Sequence, residues 1–351
     1  MSLPISFDYP VMEATTAKKI PVGPGWQYEP KWDGFRCLAF RYDDEIELRS
    51  KSDQPLARYF PELVAALLAL KAKHFVLDGE IAIQREGELS FDDLLMRIHP
   101  AESRIRKLAA ETPATFYCFD LLVDDHGRSL VGETLETRRA ALETFAAKYF
   151  EGSLQLSPAT RDFAAAKRWL RSGGGPLDGV VAKPIHLPYQ SGLRTGMVKI
   201  KNLRSADCVV GGFRYGEGSE LVGSLLLGLY DAEGKLNHVG FCSGLKSSEK
   251  AELTKRLEKL IEPPGFTGKA PGGPSRWSTA RSAEWQPLRS ELVVEIQYDH
   301  FTGGRFRHGT RLLRWRPDKA PRQCGIEQVK SDLVRRASSI RGVVSSTKKP
   351  S

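Results

Sequence analysis

The chain has few cysteines and no long hydrophobic run, and each shortage argues against a class of protein. Its five cysteines are scattered, odd in number and without a C-x-x-C pair. This argues against a disulfide framework and against a structural zinc site. No stretch is long and apolar enough to cross a bilayer, and Met1 to Pro10 lacks the basic-then-apolar pattern of a signal peptide. We therefore expect a cytoplasmic protein without a membrane partner.

The composition indicates a folded protein that suits an anionic partner. The 351 residues are enough for two domains, and 41% hydrophobic against 27% charged residues supports a buried core. The formal net charge is +9, from 52 basic and 43 acidic residues. This excess suits nucleic acid, although many basic proteins bind none. The sequence contains no internal repeat.

Hydrophobic periodicity up to about residue 203 predicts a mixture of strands and helices. The segments FRCLAF and IELR flank an acidic turn and predict a hairpin over 35–49. Further strands are predicted over 75–83, 115–123, 178–183 and 197–201. Helices are predicted within 56–73 and over 91–98, 136–149 and 163–170.

The pattern changes after residue 203. Five short strands are predicted at CVVGGFRY, VGSLLLGLY, LNHVGFC, LVVEIQY and RLLRWR, with one helix over 248–260. This set is typical of the oligonucleotide-binding (OB) fold, a small β-barrel. A basic helical segment is predicted after Pro321. The sequence thus predicts an α+β protein with domains at 1–203 and 204–321 and a basic tail over 322–351.

Five short runs in the first domain carry candidate chemistry. They are YEPKWDGFR at 28–36, LDGE at 77–80, FYCFD at 116–120, DGVVAK at 178–183 and MVKIK at 197–201. Together they place Lys31, a candidate nucleophile, among carboxylates, further lysines and an aromatic residue. A covalent lysine–nucleotide intermediate needs this combination of groups.

The chemistry of such an intermediate assigns roles to the neighbours of Lys31. A lysine amine attacks phosphorus only when it is unprotonated, a form that nearby cations, burial or a bound metal favour. The candidate cations, which also suit nucleotide phosphates, are Arg36, Lys183, Lys199 and Lys201. Glu80 and Asp178 are candidates for a divalent cation, since hard cations prefer carboxylate oxygen.

Each run has a plainer interpretation when it is taken alone. An isolated K-x-D-G is typical of a surface turn, and Asp78-Gly79 of a hairpin turn. Lys199 and Lys201 share one face of a strand, which is usually solvated, and the aromatic run over 116–119 is typical of a core. The plain interpretations fail together, because five unrelated turns and strands would rarely occur in this order.

The series of runs resembles that of the covalent nucleotidyltransferases, which include ATP-dependent DNA ligases, RNA ligases and mRNA capping enzymes. The resemblance extends from about Tyr28 to Pro321. A sixth run, LRWRPDK at 313–319, resembles the R-x-D-K motif of DNA ligases, and capping enzymes have a different pattern there. The runs at 97–100, 177–184 and 206–210 resemble small stand-alone bacterial ATP-dependent DNA ligases. These are related to the ligase module of multidomain end-joining enzymes.

The sequence also argues against two related classes, the multidomain end-joining enzymes and the NAD-dependent ligases. No polymerase or phosphoesterase module fits in the residues that remain. The zinc-binding cysteines and extra domains of NAD-dependent ligases are missing as well.

The resemblance implies how the nucleotide is held. Lys31 would be adenylated, Glu29 would face the adenine amino group and Phe119 would stack on the adenine ring. Arg36 and Glu80 would contact the ribose, and Glu80 would also serve the metal.

The resemblance further implies residues for the phosphates and the metal. Asp178 would bind Mg²⁺ or Mn²⁺, and Lys199 and Lys201 would contact the phosphates of ATP. Arg316, Asp318 and Lys319 in the second domain would orient the pyrophosphate.

The chain departs from the family pattern at two of these positions. The family usually has Ser-Arg after the first hairpin, and here the pair is Ser50-Lys51. Lys51 lacks the bidentate fork of arginine, so we expect a weaker nucleotide contact there, shared with Arg49. The fourth motif commonly begins with glutamate, and Asp178 is one methylene shorter.

The sequence therefore predicts an ATP-dependent DNA ligase that seals nicks in duplex DNA during repair. We expect a bacterial, nucleoid-associated monomer, and the sequence names no protein partner. Arg305, Arg307 and Arg311 are candidates for DNA phosphate contacts, or else ordinary solvated arginines. The alternatives are an RNA ligase or RNA-capping guanylyltransferase, and a non-catalytic nucleic-acid-binding relative.

Overall fold

The computed structural model describes residues 3–85, 88–171, 177–272, 284–307 and 309–329. The chain forms two compact units that divide between Asn202 and Leu203. Both units are mixed α+β with mainly antiparallel sheets. The domain limits drawn from the sequence stay a prediction, and the predicted tail lies outside the described residues from position 330 onward.

The first unit contains two sheets and the helices that cover them. Its strands are β1 (Thr15–Thr16), β2 (Trp26–Trp32), β3 (Phe35–Tyr42), β4 (Glu45–Ser50), β5 (His74–Arg85), β6 (Glu88–Leu89), β7 (Ala114–Val123), β8 (Leu154–Leu156), β9 (Leu177–Pro184) and β10 (Val198–Lys201). Its helices are α1 (Pro61–Ala69), α2 (Phe91–Met96), α3 (Glu102–Glu111), α4 (Leu135–Tyr149) and α5 (Phe163–Arg171), with a 3₁₀ helix at Ala57–Tyr59.

The two sheets of this unit share one hydrophobic core. The smaller has the strand order β1-β10-β9-β2, and the larger has the order β4-β3-β5-β7-β8 with β6 beside β5. Leu38 and Phe40 of β3 pack in this core with Met12 and Met197. Because side chains alternate along a strand, Cys37 and Ala39 of β3 point to the opposite face of the larger sheet.

Helices cover the outer faces of both sheets. Leu63 of α1 and Phe145 of α4 pack with Cys37 on the larger sheet. Ala166 of α5 packs with Tyr28 of β2 on the smaller sheet. Full burial of an apolar side chain of this size contributes about 1.5–3 kcal/mol, so these layers hold the strands that carry the site.

In the described residues, the second unit contains a six-stranded sheet, a two-stranded sheet and one α-helix. Its strands are β11 (Arg204–Tyr215), β12 (Val222–Tyr230), β13 (Leu236–Cys242), β14 (Gln286–Pro287), β15 (Val293–Tyr298), β16 (Phe301–Thr302), β17 (Arg305–Phe306) and β18 (Arg311–Trp315). Its helices are α6 (Lys250–Glu258) and 3₁₀ helices at Ser247–Glu249 and Pro321–Gln323. Leu257 of α6 packs in the core with Phe213, Leu227 and Val294.

The five strands and the helix predicted for this unit are confirmed, but the closed barrel is not. The sheet follows the open order β13-β12-β11-β15-β18, with β14 beside β11. Within the described residues, an isolated bridge between Cys242 and Thr310 joins the two edges of the sheet, but β13 and β18 form no ladder with each other. β18 has five residues and pairs with β15 along one of its edges.

Helix α3 and strand β2 are among the elements of the first unit that were not predicted from the sequence. Helix α3 buries only Ile105, so its charged sequence has almost no apolar stripe. Strand β2 contains Pro30, which suggests a turn. Proline is tolerated here because β2 is an edge strand that pairs only with β9 in its sheet.

All five cysteines are free and buried. Within the described ranges, none of the helices has the length and apolar character needed to span a membrane.

Candidate functional site

Most of the predicted first-unit residues line one open cavity of about 200 Å³. Those that line it are Glu29, Lys31, Arg36, Lys51, Glu80, Phe119, Lys183 and Lys199. The rest of the wall is formed by Met12, Glu13, Ala14, Pro30, Trp32, Val181 and Met197. Motifs that lie far apart in the sequence therefore meet at one place.

Lys31 lies near the end of β2, directly opposite Gly179 of β9. Its Nζ is 2.5 Å from Asp178 Oδ2, and Lys201 Nζ is 3.9 Å from the same oxygen. Gly179 has a φ of 149°, and a Cβ there would lie 2.0 Å from the Ile200 carbonyl oxygen. Only glycine fits at position 179, and the preceding residue, Asp178, places its carboxylate beside Lys31.

Glu29 and Lys183 form a buried ion pair across β2 and β9. Lys183 Nζ lies 2.7 Å from Glu29 Oε2, and each side chain is only 3% exposed. Gln27 Nε2 donates to Glu29 Oε1 over 2.8 Å. Lys183 Nζ also lies 4.6 Å from the centre of the Phe119 ring. The predicted base-binding residues are therefore linked to one another, with Lys183 among them rather than beside Lys31.

Arg36 is held by the carboxylate of Asp78, a residue to which no role was assigned from the sequence. Its Nε and Nη2 donate to the two oxygens of Asp78, each over 2.6 Å. Asp78 is fully buried, and the Arg36 guanidinium lies 4.7 Å from the Phe119 ring centre. The LDGE run thus supplies an anchor for Arg36 as well as Glu80, which is opposite Arg36 in the ladder of β3 and β5.

Burial raises the pKa of Glu80 to about 7, against the opposing effect of the Lys31 and Arg36 charges. Among the described residues, no group of three or more acidic, histidine or cysteine side chains is placed to hold a metal. Mg²⁺ is usually bound by one or two carboxylates with substrate phosphates and water. Glu80 and Asp178 fit that kind of site.

Two lysines supply positive charge at the cavity wall. Burial lowers the pKa of Lys199, and the charges of Lys31, Lys201 and Lys51 lower it further. Lys51 Nζ lies 3.0 Å from Glu13 Oε2. The hydrogen bond from Lys51 is the main cause that lowers the pKa of Glu13.

The R-x-D-K run at 313–319 is organised around Asp207, which lies in the 206–210 run but was assigned no role from the sequence. Arg316 Nη1 donates to both Asp207 oxygens, over 3.0 and 3.1 Å, and Lys319 Nζ lies 2.6 Å from Oδ2. Asp318 pairs with Arg316 Nη2 over 2.8 Å. The role of Asp207 could not be predicted, because its partners lie more than a hundred residues later in the chain.

The candidate DNA-binding arginines lie in the second unit. Arg305 on β17 and Arg311 on β18 are exposed, and Arg307 is half-buried. Their exposure is consistent both with contacts to DNA phosphates and with ordinary solvation.

Two family models match the chain. One, described as ATP dependent DNA ligase domain, covers residues 12–201, and the other, described as ATP dependent DNA ligase C terminal region, covers residues 218–319. Together they span most of both units.

Relatives and solved structures agree with the family models. DNA ligase C of Mycobacterium tuberculosis (strain ATCC 25618 / H37Rv) is 43% identical over 354 residues, covering 95% of this chain and 97% of that protein. The multifunctional non-homologous end joining DNA repair protein LigD of the same strain is 34% identical, covering 84% of this chain and 37% of that protein.

A structure from a study of Lig E DNA ligases has a TM-score of 0.55 at 17% identity, covering 88% of this chain and 99% of that chain. At that identity it supports the fold alone. The family itself rests on the matches over residues 12–201 and 218–319 and on the relative that is similar over nearly its whole length. The chain therefore belongs to the ATP-dependent DNA ligase family.

Proposed function

We propose that this chain seals nicks in duplex DNA during repair, with Lys31 as the residue that carries AMP. The observation that supports this most directly is the position of Lys31. Its amine lies in the cavity beside Asp178, with Glu80 and Lys199 in the same wall. This is the arrangement that attack on a phosphate ester requires.

The reaction consists of three displacements at phosphorus. Lys31 Nζ attacks the α-phosphorus of ATP, forms a P–N bond and releases pyrophosphate, and its proton passes to a base such as Asp178. The 5′-phosphate of the nick then attacks the lysine-bound AMP and regenerates the lysine. Finally the 3′-hydroxyl attacks the activated 5′-phosphate, forms the phosphodiester bond and releases AMP.

The side chains of the cavity divide the work of holding ATP. Glu29 and Lys183 contact the adenine edge, Phe119 stacks on its ring, and Arg36 with Glu80 contacts the ribose. Lys51 and Lys199 neutralise the phosphates, with Lys201 beside Asp178 as a further cation. Arg316 and Lys319 belong to the second unit and do not line this cavity, and the family resemblance implies that they orient the pyrophosphate. Glu80 and Asp178 would hold Mg²⁺ or Mn²⁺, and the metal would supply further charge neutralisation at the phosphates.

The DNA is bound mainly through its phosphates. The positive net charge and the exposed Arg305 and Arg311 support binding that is independent of sequence and sensitive to salt. Both excision repair and end joining supply nicks of this kind. We propose that the chain acts as a monomer on such nicks.

Incubation with labelled ATP and magnesium tests the nucleophile. We expect the parent protein to retain the label on a denaturing gel, and Lys31→Ala to retain none. Lys107→Ala is the control, since Lys107 is 71% exposed on α3 and does not line the cavity. Labelling of Lys31→Ala at the rate of the parent would show that another residue carries AMP.

Substrate choice is tested in a second assay. We expect labelling by ATP and not GTP, followed by sealing of nicked duplex DNA and not nicked RNA. Labelling by GTP would favour an RNA-capping enzyme, sealing of RNA alone would favour an RNA ligase, and binding without AMP release would indicate a non-catalytic relative.

A further inference from the structure

The phenol of Tyr189 joins two walls of the nucleotide cavity without lining it. Its hydroxyl donates to Asp78 Oδ2 over 2.7 Å and accepts from the Met12 backbone N–H over 3.0 Å. Tyr189 is 6% exposed and lies between β9 and β10, in a segment to which no motif pointed. One buried atom thus connects two chain segments that meet only in the fold.

The first connection determines how Arg36 is held. The buried Asp78 carboxylate accepts two hydrogen bonds from Arg36, and the third comes from Tyr189. A buried carboxylate has several acceptor positions, and each donor limits the rotation of its plane. Since Arg36 binds that plane through a bidentate fork, the phenol also limits where the guanidinium lies over Phe119.

The second connection holds the opposite wall. Met12, Glu13 and Ala14 line the cavity, and the Met12 N–H is anchored on Tyr189. Glu13 in turn binds Lys51, whose Nζ lies 3.0 Å away. A shift of this short segment would therefore move both the apolar wall at Met12 and the cation at Lys51.

The surroundings of Tyr189 keep its hydroxyl protonated and in place. Burial, followed by the negative charge of Asp78, raises the pKa of Tyr189 well above its ordinary value. The Arg138 guanidinium lies 5.6 Å from the ring centre and is itself fixed by Asp120, with which it forms a buried ion pair. The phenol remains a donor to Asp78 at every pH at which the protein would be assayed.

We propose that Tyr189 is a positioning residue of the nucleotide site, which fixes Arg36 through Asp78 and the 12–14 segment directly. This inference rests on the proposed function, since it assumes that ATP occupies the cavity. Tyr189 touches neither ATP nor the reacting atoms. Its effect is therefore on the binding of the nucleotide and not on the chemistry at Lys31.

Tyr189→Phe tests this by removing one oxygen and keeping the ring. We expect the KM for ATP in lysine adenylation to rise about tenfold, the usual effect of losing a hydrogen bond to a charged group. The rate at saturating ATP should stay within twofold of the parent. A general loss of structure would lower the rate and the labelled fraction together, and would not produce this separation of KM from kcat.

Tyr149→Phe is a matched control within the same unit. Its hydroxyl also donates to an aspartate, Asp125 Oδ2, over the same 2.7 Å, and Tyr149 does not line the cavity. We expect both variants to fold and the change in KM to be confined to Tyr189→Phe. Tyr189→Phe should melt at the lower temperature, because it leaves the buried Met12 N–H without its acceptor. An unchanged KM in Tyr189→Phe, or an equal rise in both variants, would overturn the proposal.

Arg36→Lys tests the same chain of contacts from its other end. Lysine cannot bind both Asp78 oxygens, so we expect a similar rise in KM. Adding Tyr189→Phe should raise the KM further by much less than tenfold, since only the contact with the 12–14 segment is left to lose. Additive effects would show that Tyr189 does not act through Arg36. If the parent takes up no label from ATP, the proposed function fails. If the parent is labelled and the Tyr189→Phe and Tyr149→Phe variants both have the KM of the parent, only the role of Tyr189 fails.

Discussion

Lys31 Nζ lies 2.5 Å from Asp178 Oδ2, so the proposed nucleophile is paired with the proposed metal ligand. The ammonium must lose this contact, or give up its proton within it, before the amine can attack phosphorus. A cation bound at Asp178 would compete with Lys31 for the same oxygen. Metal binding and release of the nucleophile are therefore linked through one carboxylate.

Replacement of Asp178 tests that link. Asp178→Asn keeps the size of the side chain but removes its charge, and we expect labelling by ATP to slow by about a hundredfold. Asp178→Glu, which restores the longer carboxylate usual in the family, should stay within about fivefold of the parent. The measurement is the rate of label incorporation at several magnesium concentrations. Equal rates for the parent and the Asn variant would contradict the role of Asp178.

The pH dependence of stability tests the environment of Glu80. Because burial raises the pKa of Glu80 from 4.5 to about 7, the folded protein holds this proton more tightly than the unfolded chain does. The resulting stabilisation is complete below pH 4.5 and is lost as the pH rises to about 7.

Glu80→Gln does not titrate, so its stability relative to the parent should increase by about 3 kcal/mol between pH 4.5 and pH 7. Urea unfolding of both proteins without nucleotide or metal measures this difference. A constant difference across the range would mean that Glu80 has an ordinary pKa.

Arg97 provides a test of stability away from the cavity. Its side chain is fully buried, and Nη1 and Nη2 each lie 2.8 Å from an oxygen of Glu62. Arg97→Ala leaves the Glu62 carboxylate without its cation, and we expect the free energy of unfolding to fall by about 3–5 kcal/mol.

The exposed pair of Arg106 and Glu102 on α3 is the control for this prediction. Arg106 is 75% exposed, and Arg106→Ala should change the free energy of unfolding by less than about 0.5 kcal/mol. Urea unfolding at one pH compares the two variants. Equal losses would show that burial does not distinguish these ion pairs.

Asp207 gives a prediction that is specific to one step of the reaction. Its carboxylate holds both Arg316 and Lys319, which we propose orient the pyrophosphate of ATP. Asp207→Asn should therefore slow lysine adenylation about tenfold, the usual effect of weakening charge-assisted hydrogen bonds. Sealing of a nick that already carries AMP involves no pyrophosphate and should keep its rate. A similar loss in both assays would indicate a general effect on the second unit.

The chemistry-bearing motifs could be recognised from sequence because their order and residue types are specific. The strands that carry them were predictable where short, largely apolar runs occur, as in β5, β7 and β9. Strand β2, which carries Lys31, was missed because Pro30 suggests a turn, and only the sheet order makes β2 an edge strand that tolerates proline.

The partners of the site residues could not be predicted in the same way. Arg36 with Asp78, Glu29 with Lys183 and Arg316 with Asp207 each join residues distant in the chain, and their pairing depends on strand register. The open sheet of the second unit could not be predicted either, because the hydrophobic pattern does not show which strands pair with each other. Local sequence predicted the elements, and tertiary contacts decided their partners.

The buried pair of Glu29 and Lys183 has a consequence for purine selection. Gln27 Nε2 donates to one Glu29 oxygen and Lys183 Nζ lies against the other, so both oxygens act as acceptors. The six-position of adenine carries a donor, whereas that of guanine carries a carbonyl, whose lone pairs would face the carboxylate. A guanine base would lose a hydrogen bond and meet electrostatic repulsion at the same atom.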